Sequence, residues 1–139
     1  MSAVDSSVII AGFGSWHEQH AAAVYELSAQ PTLPAHAAVE AYSVLTRLPD
    51  PFRADAGVVA EYLRRTFPAR RLTLPAKEYA RLPGVLADLG IAGGQTYDGL
   101  IALTVGAAGT DLVTLDRRAL TIYERCGITA RLAGQTNSG

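Results

Sequence analysis

This chain has one cysteine, one methionine and one tryptophan in 139 residues, and its only lysine is Lys77. A lone Cys126 excludes an intrachain disulfide and any zinc site built from several cysteines. No apolar run approaches the roughly 18 residues that a membrane helix needs, although 49% of residues are hydrophobic. The opening MSAVDSSVIIAGF has no basic n-region and is interrupted by Asp5, so it does not read as a signal peptide. Charge excess is missing too. Twelve basic against 13 acidic residues leave a net charge of −1, so no bulk positive field announces nucleic acid. The bases are otherwise all arginine, which suits bidentate phosphate contacts; a GC-rich genome gives the same bias, and we favour that origin. These bounds predict a soluble, cytoplasmic, single-domain protein. The domain is expected over residues 1–132, with AGQTNSG at 133–139 as a disordered tail.

What is present is a regular alternation of short apolar strands and helices. Strands are expected at Ala3–Asp5, Thr32–Leu33, Arg71–Leu74, Leu112–Leu115 and Ile128–Leu132. Helices are expected from Ser6 or Ser7, over His17–Ala29, Ala35–Leu48 and Ala54–Phe67, from Pro75 with a kink or split at Pro83, then around Tyr97–Ala108, and over Arg117–Cys126. In the second helix Ala21, Val24, Tyr25 and Leu27 are expected to face inward. In the sixth, Tyr97, Leu100, Ile101, Thr104, Val105 and Ala108 form a helical stripe. This pattern predicts an α/β fold with a mainly parallel sheet. Ligands of such sheets bind beyond the C-terminal strand ends.

Four acids carry the chemistry. Asp5 and Asp116 follow strands, where either can serve simply as a helix cap. Asp98 lies in a first helical turn, which the helix dipole favours. Glu40 falls on the inward side of its helix, so it must find a partner, protonate or bind a cation; an arginine ion pair is the simplest alternative. If one sheet edge gathers all four, they repel strongly, and a divalent cation resolves the repulsion. Oxygen-only ligands point to Mg²⁺, with Mn²⁺ as a substitute, rather than zinc.

The blocks DSSVIIA (5–11), PAHAAVEAYSVLTRLP (34–49), YDGLIALTV (97–105) and LVTLDRRA (112–119) occur in that order, each with one acid. In this they resemble PIN-domain ribonucleases of the VapC toxin type. The resemblance implies a three-layer α/β/α PIN domain with a short-stranded central sheet, and a metal-dependent endoribonuclease. Asp5, Glu40, Asp98 and Asp116 would form the catalytic, metal-holding site, supported by Ser7 and Thr114. Cleavage by metal-activated water at a tRNA or rRNA loop is implied, as are a homodimer and inhibition by a cognate VapB-like antitoxin. Gly99 departs from the family, which usually has alanine there; glycine costs about 1 kcal/mol in a helix and is expected to soften the turn carrying Asp98.

Arg117, and less so Arg118, stand where RNA phosphates can be contacted. Arg47, Arg64, Arg65, Arg70 and Arg71 are weaker candidates. His17 and His20 have ligand spacing but no third ligand nearby, and Trp16 reads as a packing or dimer residue. His36, one turn before Glu40, reads first as a packing residue. A receiver domain is disfavoured because serines follow Asp5 and Lys77 is mid-chain. A catalytically silent PIN-like module that binds RNA or a partner is the remaining alternative.

Overall fold

The first strand ends at Val4 because the next residue turns its carboxylate back onto the chain. Ser2–Val4 forms β1. Asp5 then accepts hydrogen bonds from the Ser7 and Val8 amides as the cap of α1, Ser6–Phe13. The computed structural model describes residues 1–135. Beyond α1 the chain forms α2 (His20–Ser28), α3 (Ala35–Thr46), α4 (Ala56–Thr66) and α5 (Ala76–Asp88). A 3₁₀ turn at Gly93–Gln95 leads into α6 (Thr96–Ala107), followed by β2 (Asp111–Thr114), α7 (Arg117–Arg125) and β3 (Ala130–Leu132).

The sheet has the order β1-β2-β3 and is parallel throughout. Ala3 lies opposite Leu112, which lies opposite Ala130. Successive residues Ala3, Val4, Leu112 and Val113 are all buried, as expected of strands covered on both faces. The result is a three-layer α/β/α fold. Single parallel bridges place Thr32 beside Ala3, and Leu72 beside Pro34. The chain thus moves outward from β1 in one direction, then returns to lay β2 on its other side. That reversal creates a topological switch point between β1 and β2, where strand ends open a crevice.

The main core surrounds Val4, Ile9, Leu45, Ile101, Leu112 and Tyr123. A smaller one joins Leu82, Leu86, Ile91, Leu100 and Ile122 across α5, α6 and α7. Gly99 belongs to this second contact. A Cβ there would lie 2.5 Å from Leu86 Cδ2, so the missing methyl is the space that Leu86 occupies. The residue is buried against α5.

Several expected elements differ. The strands at Thr32–Leu33 and Arg71–Leu74 shrink to the two bridges, and the last strand begins only at Ala130. The third helix ends at Thr46, and α5 runs unbroken through Pro83, where the exposed face lets water serve the Tyr79 carbonyl that proline leaves without a donor. The stretch from His17 is a turn: His17 N bonds Gly14 O, His20 N bonds His17 O, and helix begins at His20.

The inward face of α2 also differs. Ala21, Val24 and Tyr25 are exposed, Tyr25 at 72%, while Ala23 and Glu26 are buried. The reason is an ion pair. Arg131 Nη1 and Nη2 donate to Glu26 Oε1 and Oε2 at 2.7 and 2.9 Å, and the Gly134 amide adds a third bond at 3.1 Å. Arg131 holds the Glu26 carboxyl below its ordinary pKa. A bidentate charged pair outweighs the apolar count in orienting the helix. Glu26→Ala is expected to destabilise the fold by about 2 kcal/mol, because it strands the guanidinium; chemical denaturation would measure it. Ala133 N also bonds Thr114 O, and Arg131 reaches Gln135 O. The first three residues of the expected tail therefore make contacts, and residues 136–139 lie outside the described residues.

Candidate active site

Asp5 sits at the C-terminal end of β1 and is 2% exposed. Its Oδ1 accepts from the Ser7 amide at 3.1 Å, the Val8 amide at 3.4 Å and the Ser7 hydroxyl. Its Oδ2 accepts from the Tyr123 hydroxyl at 2.7 Å. Burial pushes the Asp5 carboxyl up from its ordinary value, and the hydroxyls of Ser7, Thr114 and Tyr123 oppose that rise. Ser7 Oγ also accepts from the Leu115 amide at 2.8 Å and lies 3.3 Å from Thr114 Oγ1. Thr114 Oγ1 in turn accepts from the Asp116 amide at 3.0 Å. The half-buried Ser7 hydroxyl and the buried Thr114 hydroxyl thus tie the start of α1, just past β1, to the end of β2 across the switch point.

Asp116 caps α7 by accepting from the Arg118 amide at 2.9 Å, and its side chain is otherwise solvent-facing. Its reading as a helix cap, and that of Asp5, are both correct locally. Capping occupies Oδ1 of Asp116 and leaves Oδ2 without a donor among the described residues. Glu40 is partly buried on α3, and its Oε1 accepts from the Ser6 hydroxyl of α1. No arginine pairs with it: the ion pairs among the described residues join Glu61 to Arg64 and Arg65, and Glu26 to Arg131.

Asp98 enters from the first turn of α6 and is half-buried. Its carboxyl is pushed up to about 6, first by burial and then by the charges of Glu40, Asp5 and Asp116. Asp98 thus feels the charges of the three other acids, which come from separate elements. Tyr123 feels them as well: burial raises its hydroxyl pKa first, and Asp5, Asp98 and Glu40 raise it further.

The donor set suits a hard divalent cation: all oxygen, mutually repelling, and without a compensating base among the described residues. The side chains are nonetheless not gathered into a finished cage. Among the described residues, no group of three or more His, Cys, Asp or Glu forms a cluster ready to hold a metal ion.

Sequence reasoning missed Tyr123 and Ser6. Tyr123 was detectable in principle, since a tyrosine on the apolar stripe of α7 must find a partner for its hydroxyl when buried. Ser6 had no signal, because its partner is 34 positions away. Other candidates have local roles. His20 Nδ1 meets Ala11 O at 2.7 Å, and His17 Nδ1 accepts from Gln19 N at 3.1 Å. Trp16 packs on Phe52 at 5.1 Å. Arg71 is bound to the carbonyls of Leu63, Phe67 and Ala69. Arg117 and Arg118 are exposed.

A family model described as "PIN domain" matches residues 3–125. Ribonuclease VapC40 of Mycobacterium tuberculosis is 47% identical over 132 residues, covering 95% of this chain and 98% of that protein. Ribonuclease VapC27 of the same organism is 40% identical over 127 residues, covering 91% and 92%. Among solved structures, FitAcB from Neisseria gonorrhoeae superposes with a TM-score of 0.65 at 19% identity, over 94% of this chain and 96% of that one. PAE2754 from Pyrobaculum aerophilum gives 0.62 at 20% identity, over 95% and 90%. These two likenesses speak for the fold alone.

Proposed function

The chain belongs to the PIN-domain family, among its VapC-type members, and from that premise we propose that it is a metal-dependent endoribonuclease, the toxin of a type II toxin–antitoxin pair. What carries the proposal is the 47% identity to Ribonuclease VapC40 over 95% of this chain, together with four acids that no base pairs with among the described residues. Asp5 and Asp98 would hold Mg²⁺, with Mn²⁺ as a substitute, and Asp116 and Glu40 would complete its shell, Glu40 through the water it orients. When bound, such an ion neutralises charge on the attacked phosphate and acidifies a water.

The chain's own groups do the rest. Ser7 and Thr114 hold the ends of β1 and β2 in register, so that Asp5 and Asp116 keep a common aim. Glu40, anchored through Oε1 by Ser6, keeps Oε2 to orient the attacking water and take its proton. The water oxygen bonds to phosphorus as the bond to the 3′ oxygen breaks, and the departing 3′ oxygen takes a proton from solvent, leaving a 5′-phosphate and a 3′-hydroxyl. Arg117, exposed at the start of α7, contacts a substrate phosphate.

A single-stranded loop of tRNA or rRNA suits this site, since unstacked bases and exposed phosphates are what proteins read in RNA. A second copy of the chain and a VapB-like antitoxin are the expected protein partners. Val39, Tyr42, Tyr79 and Val85 are exposed apolar side chains of α3 and α5 that favour such contacts. No helix among the described residues is long and apolar enough to cross a membrane.

Incubation of the chain with structured RNAs in Mg²⁺ is expected to yield 5′-phosphate ends, and chelation by EDTA is expected to stop it. RNA binding without cleavage on any substrate tested would instead favour a silent binding module. Growth arrest on expression, rescued by a neighbouring small open reading frame, would establish the toxin role.

A further inference from the structure

The helical stripe sends Tyr97 inward, yet it is 52% exposed. Its ring lies parallel to that of His36, with centroids 5.2 Å apart and planes 8° from each other. The two rings come from the first turns of α6 and α3. Tyr97 immediately precedes Asp98, and His36 lies one turn before Glu40, so the pair stands beside two of the four acids. The helices do not depend on it for contact. Ala37 and Ala41 of α3 and Ile101 and Val105 of α6 are fully buried in one core cluster. Behind His36 lies a cavity of about 280 Å³, lined also by Val39, Leu74, Tyr79, Leu100 and Thr104. It is apolar, open to the surface and roomy enough for a flat ring.

We propose that the His36–Tyr97 pair is a stacking shelf for an unpaired nucleobase next to the cleaved phosphodiester. The inference rests on the endoribonuclease reading. A bound cation and Arg117 grip phosphate only, so a hold on the base beside the cut must come from a contact other than charge. Stacking supplies it: a base on an aromatic ring strengthens binding by roughly tenfold or more and does so whatever the base. The shelf therefore positions the strand without setting its sequence.

The test compares wild type, Tyr97→Leu and Tyr97→Phe on an RNA that the wild type cuts in Mg²⁺, and on copies with an abasic nucleotide at each position flanking the cut. Tyr97→Leu is expected to raise KM about tenfold with kcat within about twofold, whereas Tyr97→Phe stays within about twofold in both. One abasic position should cost the wild type a similar tenfold and cost Tyr97→Leu nothing further. An abasic penalty that persists undiminished in Tyr97→Leu overturns the shelf. So does an unchanged KM. A changed sedimentation coefficient with unchanged KM overturns it too, and assigns the rings to a protein contact. If the wild type cuts no RNA, the nuclease reading fails by itself. Binding of a 2-aminopurine-labelled oligoribonucleotide in EDTA then decides the shelf: quenching lost in Tyr97→Leu supports it, and no quenching in the wild type removes it.

Discussion

Asp98→Asn is expected to lower RNA cleavage by about 10²–10⁴-fold while making the metal-free protein more stable at neutral pH. The activity loss follows from removing one charged oxygen donor at the reacting centre, within the range that positioned acid–base groups contribute. Asp5→Asn should behave alike in activity, and since asparagine caps helices as well as aspartate does, its loss will not come from a frayed α1. Equal cleavage by wild type and either variant would remove the four-acid site.

The stability gain has the opposite sign for an electrostatic reason. Burial and the neighbouring acids push the folded Asp98 carboxyl up to about 6, above the ordinary aspartate value of 3.8. Between those values the folded state binds more protons than the unfolded one, so stability falls as pH rises from about 4 to about 6. Above 6 the whole penalty is present; below about 4 it vanishes. A shift of this size corresponds nominally to about 3 kcal/mol, and solvent screening of a half-buried group reduces it to about 1 kcal/mol. Thermal melts in EDTA at pH 7 should therefore place Asp98→Asn about 3 °C above wild type, with the difference gone at pH 4. Added Mg²⁺ should stabilise the wild type more than the variant, because an ion that binds only the folded site shifts the melt by mass action.

Tyr123→Phe carries the second large effect. The Tyr123 hydroxyl is the donor to Asp5 Oδ2, and both residues are shut away from water. Without it a buried carboxylate oxygen loses its partner, which costs about 2 kcal/mol for a hydrogen bond to a charged group. Cleavage should fall about 10–100-fold, as when a group that orients a metal ligand is removed. Two readouts separate positioning from general damage. The stability loss should shrink at acid pH, once Asp5 is protonated in both proteins, and the activity loss should persist at temperatures well below the melt. A variant that loses stability equally at every pH and cleaves like wild type would show that the hydroxyl serves packing alone.

How much of this was legible beforehand can be judged from single residues. Asp5 and Asp116 each follow an apolar strand block and precede a helix, so their placement needed only local periodicity and capping chemistry. Leu100, Ile101, Thr104 and Val105 were placed inward by spacing, and all are buried. Tyr97 and Ala108, at the ends of the same stripe, are exposed, because a terminal helical turn has neighbours on one side only. Local reading failed where a distant partner decides the outcome. Tyr25 and Val24 look apolar and face water, because Arg131 draws Glu26 inside from 105 positions away.

The sequence by itself therefore determined the alternating α/β order, the acids that lead into α1 and α7, and the acid in the first turn of α6, since all depend on neighbours within a turn or two. Only the tertiary structure decided that the chain reverses between β1 and β2. It also decided that Ser7 and Thr114 meet across that gap, that Tyr123 closes over Asp5, and that His36 stacks on Tyr97 beside the acids. Those contacts join residues 61 to 118 positions apart. Pairings of that range are set by how the layers pack, and packing leaves no local pattern to read.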